Sequence, residues 1–500
     1  MKTLDKLRKE IDLLDDEIMS LLNKRFDLTN QIGKIKLDNE IQITNNDREN
    51  DILIKSFDFK NQNAIEKVYK EIFNISKASQ RLKTYLLAGD GSYSFSPSIH
   101  SLLGNDYYQI LENVNLKEFL ENNEYHFKGI NITNPYKKDA YEYAFNNNIE
   151  LCEIVQKTKV VNFILNGKKK KAFNTDYFGF KSLINHYQVD LHNKDILVLG
   201  NGSTSSTILS VLKEYSLKSL NVAVRTKRSE TEIYLTDVAK LSNIDIVINT
   251  TSFGVYPNLE LEPLIDLENK NTSIIIDVNY NPNRSILSIK YPNIRYINGL
   301  YMLIEQARIA EEMIQEKEID SSISQKIQKL LLKTNLNICL IGMPFSGKST
   351  IGEKLSAKLE KTFYDSDIIL KEENLSLEKL LSLGFTLEDY RGFESSVIET
   401  LATVPNSVIS TGGGIIENEN NILLLKQNGL IIFIDTPLEI LKARIKNDRP
   451  LVKDENDLLI LYNNRIKLYN KYADIIVNGD QDIDDIIHEL EVKINEYLSN

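Results

Sequence analysis

The sequence predicts a multidomain fold: an all-α N-terminal domain of three helices, then two α/β domains, of which the first is two-lobed and the second carries a parallel sheet. Three observations predict it. Residues 1–88 hold one glycine, Gly33, and no proline, whereas Gly89, Gly91 and Pro97 then arrive together. A long run without breakers suits helices, and the sudden punctuation suits a new fold. From about 84 to 300, short β-branched runs (196–199, 245–248, 274–278) alternate with helical patterns, as in open α/β sheets. A second α/β pattern opens at the apolar run 338–341 and continues to the end. The boundaries this predicts are 1–83, 84–333 and 336–500. Within the middle domain, one lobe combines 84–185 with helices at 300–333, and the other spans 186–299.

A length of 500 residues exceeds what one hydrophobic core organises. With 42% hydrophobic and 26% charged residues, the composition is that of a soluble globular chain. No stretch approaches the roughly 18 apolar residues of a membrane span, and the N-terminus runs straight into a charged amphipathic pattern without a signal-peptide core. A cytoplasmic location is therefore expected. A net charge of −11 argues against nucleic acid or an anionic membrane as the main partner. Small anionic substrates, held by local arginines, remain compatible. Two cysteines, Cys152 and Cys339, make no disulfide framework, and Cys339 in its apolar run reads as a buried reduced thiol.

In the helical segment Leu4, Leu7, Ile11, Leu14, Ile18, Leu21, Leu28, Ile32 and Ile35 form a seam of three-and-four spacing, as on a long helix packed against other helices. Arg25 fills the place the series skips, and a guanidinium in an apolar seam is costly unless an anion meets it. Lys36 follows about three turns later on nearly the same face. A second helix begins near Asp47, and a third carries Ser76 and Gln80, four apart and side by side. Spacing alone fits a regulatory or dimerisation module as well as it fits an active site. The set Arg8, Arg25, Lys36, Arg48, Glu49, Ser76 and Gln80, however, resembles the active site of the all-helical chorismate mutases. That resemblance implies arginines on the two substrate carboxylates and Lys36 and Gln80 on the ether oxygen whose bond breaks. It also implies a homodimer through the N-terminal helices, in which Arg8 reaches the partner's site. Asn45 stands where that family often carries an acid. The chemistry suits such parts: a pericyclic rearrangement needs a compact substrate and a stabilised oxygen, with no nucleophile or metal.

In the middle domain Gly200, Gly202 and Ser203 lie between a strand pattern and a helical run, the arrangement that offers backbone N–H groups to a pyrophosphate. Ser203 and Ser205 stand where further glycines are common, so the motif alone is weak. The next strand ends in Arg225, Thr226, Lys227 and Arg228, and cations there suit a 2′-phosphate, favouring NADP(H) over NAD. Around this turn the stretches 94–100, 131–137, 174–176, 249–254, 277–280 and 299–306 resemble shikimate dehydrogenase in order and spacing. The resemblance implies a Rossmann lobe for NADP(H), with Ser94, Ser96, Thr133, Asn162, Tyr280 and Gln306 holding the carboxylate and hydroxyls of shikimate. Lys137 and Asp176 would be the catalytic pair, supplying the proton at the forming alkoxide. Gly91 and Val255 replace a proline and a methionine usual in that family, and neither carries chemistry.

In the last domain Gly342, Gly347, Lys348, Ser349 and Thr350 complete a phosphate-binding loop between an apolar strand pattern and a helical run. Glycines let the backbone wrap the phosphates, Lys348 meets the outer ones, and Ser349 can ligate Mg²⁺. Asp365, Asp367, Arg391, the run Gly412, Gly413 and Gly414, then Arg449 and Arg465 follow in an order that resembles shikimate kinase. The resemblance implies Asp367 as base on the acceptor hydroxyl, Asp365 near the metal, and Arg391, Arg465 and the glycines on the shikimate carboxylate. Arg449 would close over ATP. Phe345 replaces a glycine usual in these kinases. Asp435 is set aside, because Thr436, Pro437 and Glu439 read as a helix capping box. Taken together, the expected chain is a chorismate mutase, an NADP-dependent shikimate dehydrogenase and an ATP- and Mg²⁺-dependent shikimate kinase in series.

Overall fold

The computed structural model describes residues 4–38, 46–79, 83–122, 127–167, 169–255, 259, 261–263, 265–445 and 451–499. It divides into two compact units, Met1–Phe173 with Met313–Glu316, and Asn174–Glu312 with Lys317–Asn500. Among the described residues, no helix is long and apolar enough to cross a membrane.

The first unit begins with three helices, α1 (Leu4–Asp38), α2 (Asn46–Lys55) and α3 (Gln62–Ser79), and α1 packs on α3. The seam differs from its expected packing. Leu7, Ile11, Leu14, Ile18, Leu21, Leu28, Ile32 and Ile35 all stay exposed within this single chain. Length accounts for part of this: at 1.5 Å per residue the 35 residues of α1 span about 52 Å, and the 18 of α3 only about 27 Å, so α3 can cover no more than about half of α1.

A six-stranded sheet follows, from β1 (Lys83–Ala88), β2 (Tyr108–Glu112), β3 (Phe127–Ile132), β4 (Glu150–Leu151), β5 (Phe163–Leu165) and β6 (Lys171–Phe173), in the order β2-β1-β3-β5-β6-β4. β1 runs parallel to β2 and β3, whereas β5 is antiparallel to β3 and β6. Phe127, Ile130, Ala140, Ala144 and Ile164 form its core, with small alanines letting the helix Lys137–Asn146 lie close to the strands.

The second unit holds two all-parallel sheets. One has the order β12-β11-β10-β7-β8-β9, from β7 (Asp195–Leu199), β8 (Ser219–Val224), β9 (Glu232–Tyr234), β10 (Ile246–Asn249), β11 (Ile274–Asp277) and β12 (Arg295–Asn298). Helices Thr175–His186 and Leu300–Gln315 cross at Gly179, where a Cβ would stand 2.6 Å from the Met302 carbonyl oxygen. The other sheet has the order β14-β15-β13-β16-β17, from β13 (Asn337–Ile341), β14 (Thr362–Asp365), β15 (Ser407–Ser410), β16 (Gly429–Asp435) and β17 (Ile475–Asn478). β13 and β16 are apolar almost throughout because helices cover both faces, with separate apolar clusters on each side. Cys339 in β13 is buried and unpaired, and burial pushes its thiol well above the usual range.

Two details depart from expectation. The capping box at 436–439 does not form: Pro437 is the N-cap of the helix Leu438–Ala443, without a side-chain cap bond. Thr436 lies one residue too early, and its hydroxyl points to the Ser346 carbonyl oxygen at 3.5 Å. Long-range contacts also join the two sheet systems of this unit. Arg284 donates from Nε to the Lys426 carbonyl (3.0 Å) and from Nη2 to that of Gly429 (3.3 Å), with Asp474 3.8 Å away. Gln427 donates in turn to the Leu259 carbonyl at 2.8 Å. Arg284→Ala is expected to cost about 1.5–3 kcal/mol, the value of hydrogen bonds from a charged donor. The readout is earlier denaturant unfolding together with faster amide exchange over 424–430; unchanged exchange there would contradict the bridge.

Candidate active sites

Among the helices, Arg25 donates to the Ser76 hydroxyl and lies over the Phe73 ring at 5.8 Å. The Thr29 hydroxyl donates to the Arg25 carbonyl at 2.8 Å and fixes that turn. Burial lowers the Arg25 pKa from its usual value; Tyr69 opposes this and the Arg48 charge adds to it. Arg25, Ser76 and Arg48 are thus gathered on facing helices. Arg8 is exposed, while Lys36 and Glu49 are half-buried. Gln80 lies outside the described residues.

The substrate-side residues of the middle domain gather at the carboxyl ends of β1 and β3, where ligands bind in open α/β sheets. The Thr133 amide donates to the Leu87 carbonyl at 3.0 Å, and that of Gly89 to the Asn134 carbonyl at 3.2 Å. Ile132 N donates to the Asn162 carbonyl (2.7 Å) and Val161 N to that of Lys137 (3.2 Å). These bonds fasten the segments bearing Thr133, Lys137 and Asn162 to one another. Lys137 is buried at the first position of its helix. Ser96 starts the helix Ser96–Leu102, and its amide donates to the Ser94 hydroxyl oxygen at 3.2 Å. Behind it His100 stacks on Tyr108 with centroids 3.7 Å apart, and Asn131 donates to the Tyr108 hydroxyl at 2.9 Å.

In the second unit, Asp176 is buried in the first turn of Thr175–His186. Its neighbour Thr175 donates to Gln306 Oε1 at 3.1 Å, so Asp176 and Gln306 sit on a fixed pair of helices. Asn174 donates to Thr207 at 2.9 Å and ties that pair to the helix after the glycine turn. Tyr280 follows Asn279, whose amide is held by Asp277 at 3.1 Å. Asp277 is fully enclosed, and burial raises its pKa to about 6 against hydrogen bonds from Asn249 and Asn279. Gly200 adopts φ +101°, and a Cβ there would stand 2.9 Å from Thr250 Oγ1. Gly202 faces open space before the ten-residue helix Ser203–Leu212, leaving its N–H groups accessible.

The basic loop is tied to this turn. Asn201 donates to the Thr226 carbonyl at 3.2 Å, and Arg228 donates to that of Asn201 at 2.9 Å. Arg225 lies over Phe253 at 5.2 Å and Lys227 over Tyr234 at 4.8 Å, which spreads the cations along the edge. Glu232 escaped the sequence reading. Its carboxylate accepts from the Arg228 and Ser229 amides and from Asn201 (3.2 Å). Burial raises its pKa, yet those bonds outweigh it and leave the group below the usual carboxylate range. It braces the loop from within instead of repelling a phosphate.

In the last domain the phosphate-binding loop bends through Gly342 (φ +155°), Phe345 (φ +68°) and Gly347 (φ +90°) before the helix Lys348–Leu359. Phe345 thus takes the left-handed conformation that suits glycine, and its ring packs against the core, so the loop keeps its shape. Lys348 donates to the Gly342 and Met343 carbonyls at 2.9 and 3.0 Å. The Ser349 hydroxyl donates to Asp365 at 2.6 Å, while the other Asp365 oxygen accepts from Asp367 N at 3.0 Å. A hydroxyl and a carboxylate held together beside the loop suit a hard cation such as Mg²⁺. Thr350 is exposed on the first turn.

A cleft of about 370 Å³ opens beside the loop, lined among others by Asp367, Arg391, Glu394, Gly413 and Arg465. The glycine run is explained by crowding. A Cβ on Gly412 would lie 2.7 Å from Asp367 Oδ1 and 2.8 Å from Glu394 Oε1, and one on Gly413 3.2 Å from Pro344 Cδ. On Gly414 it would overlap the Arg391 guanidinium. The Tyr469 hydroxyl, with one proton to donate, lies between the Gly342 and Gly413 carbonyls (2.8 and 2.6 Å) and joins this run to the phosphate loop. The sequence reading missed Glu394 and Glu417, which pair with Arg391; Glu417 also accepts from Arg465 Nε at 2.8 Å. Burial lowers the Arg391 pKa, but the two acids more than reverse this and raise it overall. Arg449 lies outside the described residues. Gly414→Ala is expected to weaken acceptor binding roughly tenfold or more, the worth of one charge-assisted bond of about 1.5 kcal/mol. Acceptor KM is the readout, with ATP KM held; an unchanged value would contradict the crowding.

Comparison with known proteins meets these sites from outside. The chorismate mutase type II family model matches residues 7–81, and the shikimate kinase family model matches 344–495. A Clostridium beijerinckii shikimate dehydrogenase (NADP(+)) is 31% identical over 270 residues, covering 50% of this chain and 98% of that protein. A Clostridium botulinum shikimate kinase is 41% identical over 158 residues, covering 31% and 94%. A chorismate mutase/shikimate 5-dehydrogenase fusion from Clostridium acetobutylicum is 29% identical, covering 50% of this chain and 97% of that one, at a TM-score of 0.46. With nearly the full length of the dehydrogenase and kinase relatives matched in separate stretches, the chain belongs to the shikimate dehydrogenase and shikimate kinase families, and the segment ahead of them matches the chorismate mutase type II family model.

Proposed function

We propose that the chain rearranges chorismate to prephenate through residues 1–83, reduces 3-dehydroshikimate to shikimate with NADPH through 84–333, and phosphorylates shikimate with ATP through 336–500. The observation that carries the kinase reading is the pairing of Arg391 and Arg465 beside three glycines and Asp367 in one cleft. Two guanidinium groups suit a carboxylate on a small ring, and Asp367 suits the ring hydroxyl. Asp367 orients that hydroxyl and takes its proton; Lys348 and the loop amides hold the outer phosphates, and Ser349 and Asp365 would hold Mg²⁺. Arg449 closes over the nucleotide.

In the dehydrogenase the bound nicotinamide supplies the hydride. Lys137 delivers the proton at the forming alkoxide and Asp176 orients it, while Ser94, Ser96, Thr133, Asn162, Tyr280 and Gln306 hold shikimate. Gly200, Gly202 and Ser203 seat the pyrophosphate, and Arg225, Thr226 and Lys227 take the 2′-phosphate. In the mutase, Arg8, Arg25, Arg48, Glu49 and Ser76 hold chorismate compact, and Lys36 and Gln80 stabilise the ether oxygen. We place the enzyme in the cytoplasm, where free Cys152 and Cys339 stay reduced. The exposed seam of α1 supports a homodimer through the N-terminal helices, since soluble proteins seldom leave so long an apolar stripe wet.

Purified chain given 3-dehydroshikimate, NADPH and Mg-ATP is expected to form shikimate 3-phosphate. Lys137→Ala should stop the sequence before shikimate, and Lys348→Ala should let shikimate accumulate; accumulation in neither would refute the assignment. Lys36→Ala should lower mutase turnover about 100-fold, as loss of one oxyanion donor does, with the other activities intact. Light scattering should find a dimer for the native chain and a monomer for Leu14→Lys with Leu21→Lys. A native monomer would end the dimer reading.

A further inference from the structure

We propose that Glu417 is a built-in competitor for the acceptor carboxylate, resting on the two guanidinium groups that receive shikimate and setting its apparent affinity. The proposal rests on the reading of Arg391 and Arg465 as the acceptor's carboxylate site. Glu417 uses one carboxylate oxygen on each arginine: Oε2 accepts from Arg391 Nη2 at 2.9 Å and Oε1 from Arg465 Nε at 2.8 Å. That bridge across two cations is what a substrate carboxylate would make there. Glu417 ends the short turn Ile415–Glu417 directly after the glycine run, and buried Ile415 and Ile416 anchor the turn, so the carboxylate is held against two guanidinium groups that line the cleft.

Two acids serve this arginine pair, and they differ in kind. Glu394 is 3% exposed, lines the cleft and pairs with Arg391, where it offsets a cation withdrawn from water. The Glu417 side chain is 39% exposed, although Arg465 beside it is 3% exposed. A wet carboxylate can swing into solvent at little cost when a ligand carboxylate takes its place, and the pair stays neutralised at every stage. A purely structural partner would instead be expected inside, as Glu394 is.

Glu417→Gln keeps the shape and removes the charge, with Glu417→Ala as a second variant in case the amide retains the bridge. Both are assayed in the full chain for kinase kinetics and for calorimetric binding of shikimate. Shikimate KM and Kd are expected to fall roughly three- to fivefold, the worth of a half-exposed ion pair of up to about 1 kcal/mol, with the change concentrated in KM. Unchanged or raised values in both variants would overturn the proposal, a rise meaning that Glu417 only positions the arginines. Arg465→Ala separates the two readings. If it leaves shikimate KM unaltered, the carboxylate site itself is misassigned; if it raises KM while the Glu417 variants do not lower it, only the competitor fails.

Discussion

A guanidinium withdrawn from water demands an anion, and the kinase cleft is organised around two of them. Arg465 is almost fully buried and Arg391 largely so. Their charge requires Glu394 and Glu417 nearby, the Arg391 guanidinium leaves no room for a side chain at Gly414, and Asp367 with Glu394 leaves none at Gly412. Tyr469 ties that glycine run to the phosphate loop, which fixes the spacing between the two segments. Positioning of this kind is most of what phosphoryl transfer asks of a protein.

The same constraint recurs on the other two folds. Lys137 is buried at a helix start, and backbone hydrogen bonds lock its segment to those of Thr133 and Asn162. Arg25 lies between Ser76 and the Phe73 ring. In each case the scaffold is ordinary, and a cation is drawn away from bulk water at the residues proposed to act.

Much of this was legible in the sequence because the signals are local. The absence of breakers before Gly89 marked the helices, and the phosphate loop could be read from its spacing. What was hidden depended on distance. Glu417 is far in sequence from both arginines; Glu394, one helical turn past Arg391, could have been read from the i, i+3 rule. Glu232 beside a basic run looks like an obstacle to a 2′-phosphate until the fold turns its carboxylate onto amides. Phe345 defies the glycine expectation because core packing of its ring offsets its backbone conformation. The α1 seam is apolar in spacing yet stays exposed in this chain, because a periodic pattern marks an apolar stripe without saying whether anything packs on it. Arg284 carried no motif at all, since its partners are backbone carbonyls near residue 428.

The central claim is that Arg391 and Arg465 receive the acceptor's carboxylate while Asp367 faces its hydroxyl. The most direct measurement is a crystal structure of the full chain with shikimate and a non-hydrolysable ATP analogue. The account predicts the shikimate carboxylate within hydrogen-bonding distance of both guanidinium groups and the phosphorylated hydroxyl beside Asp367. A carboxylate bound elsewhere in the cleft, with the two arginines still facing only protein acids, would contradict it.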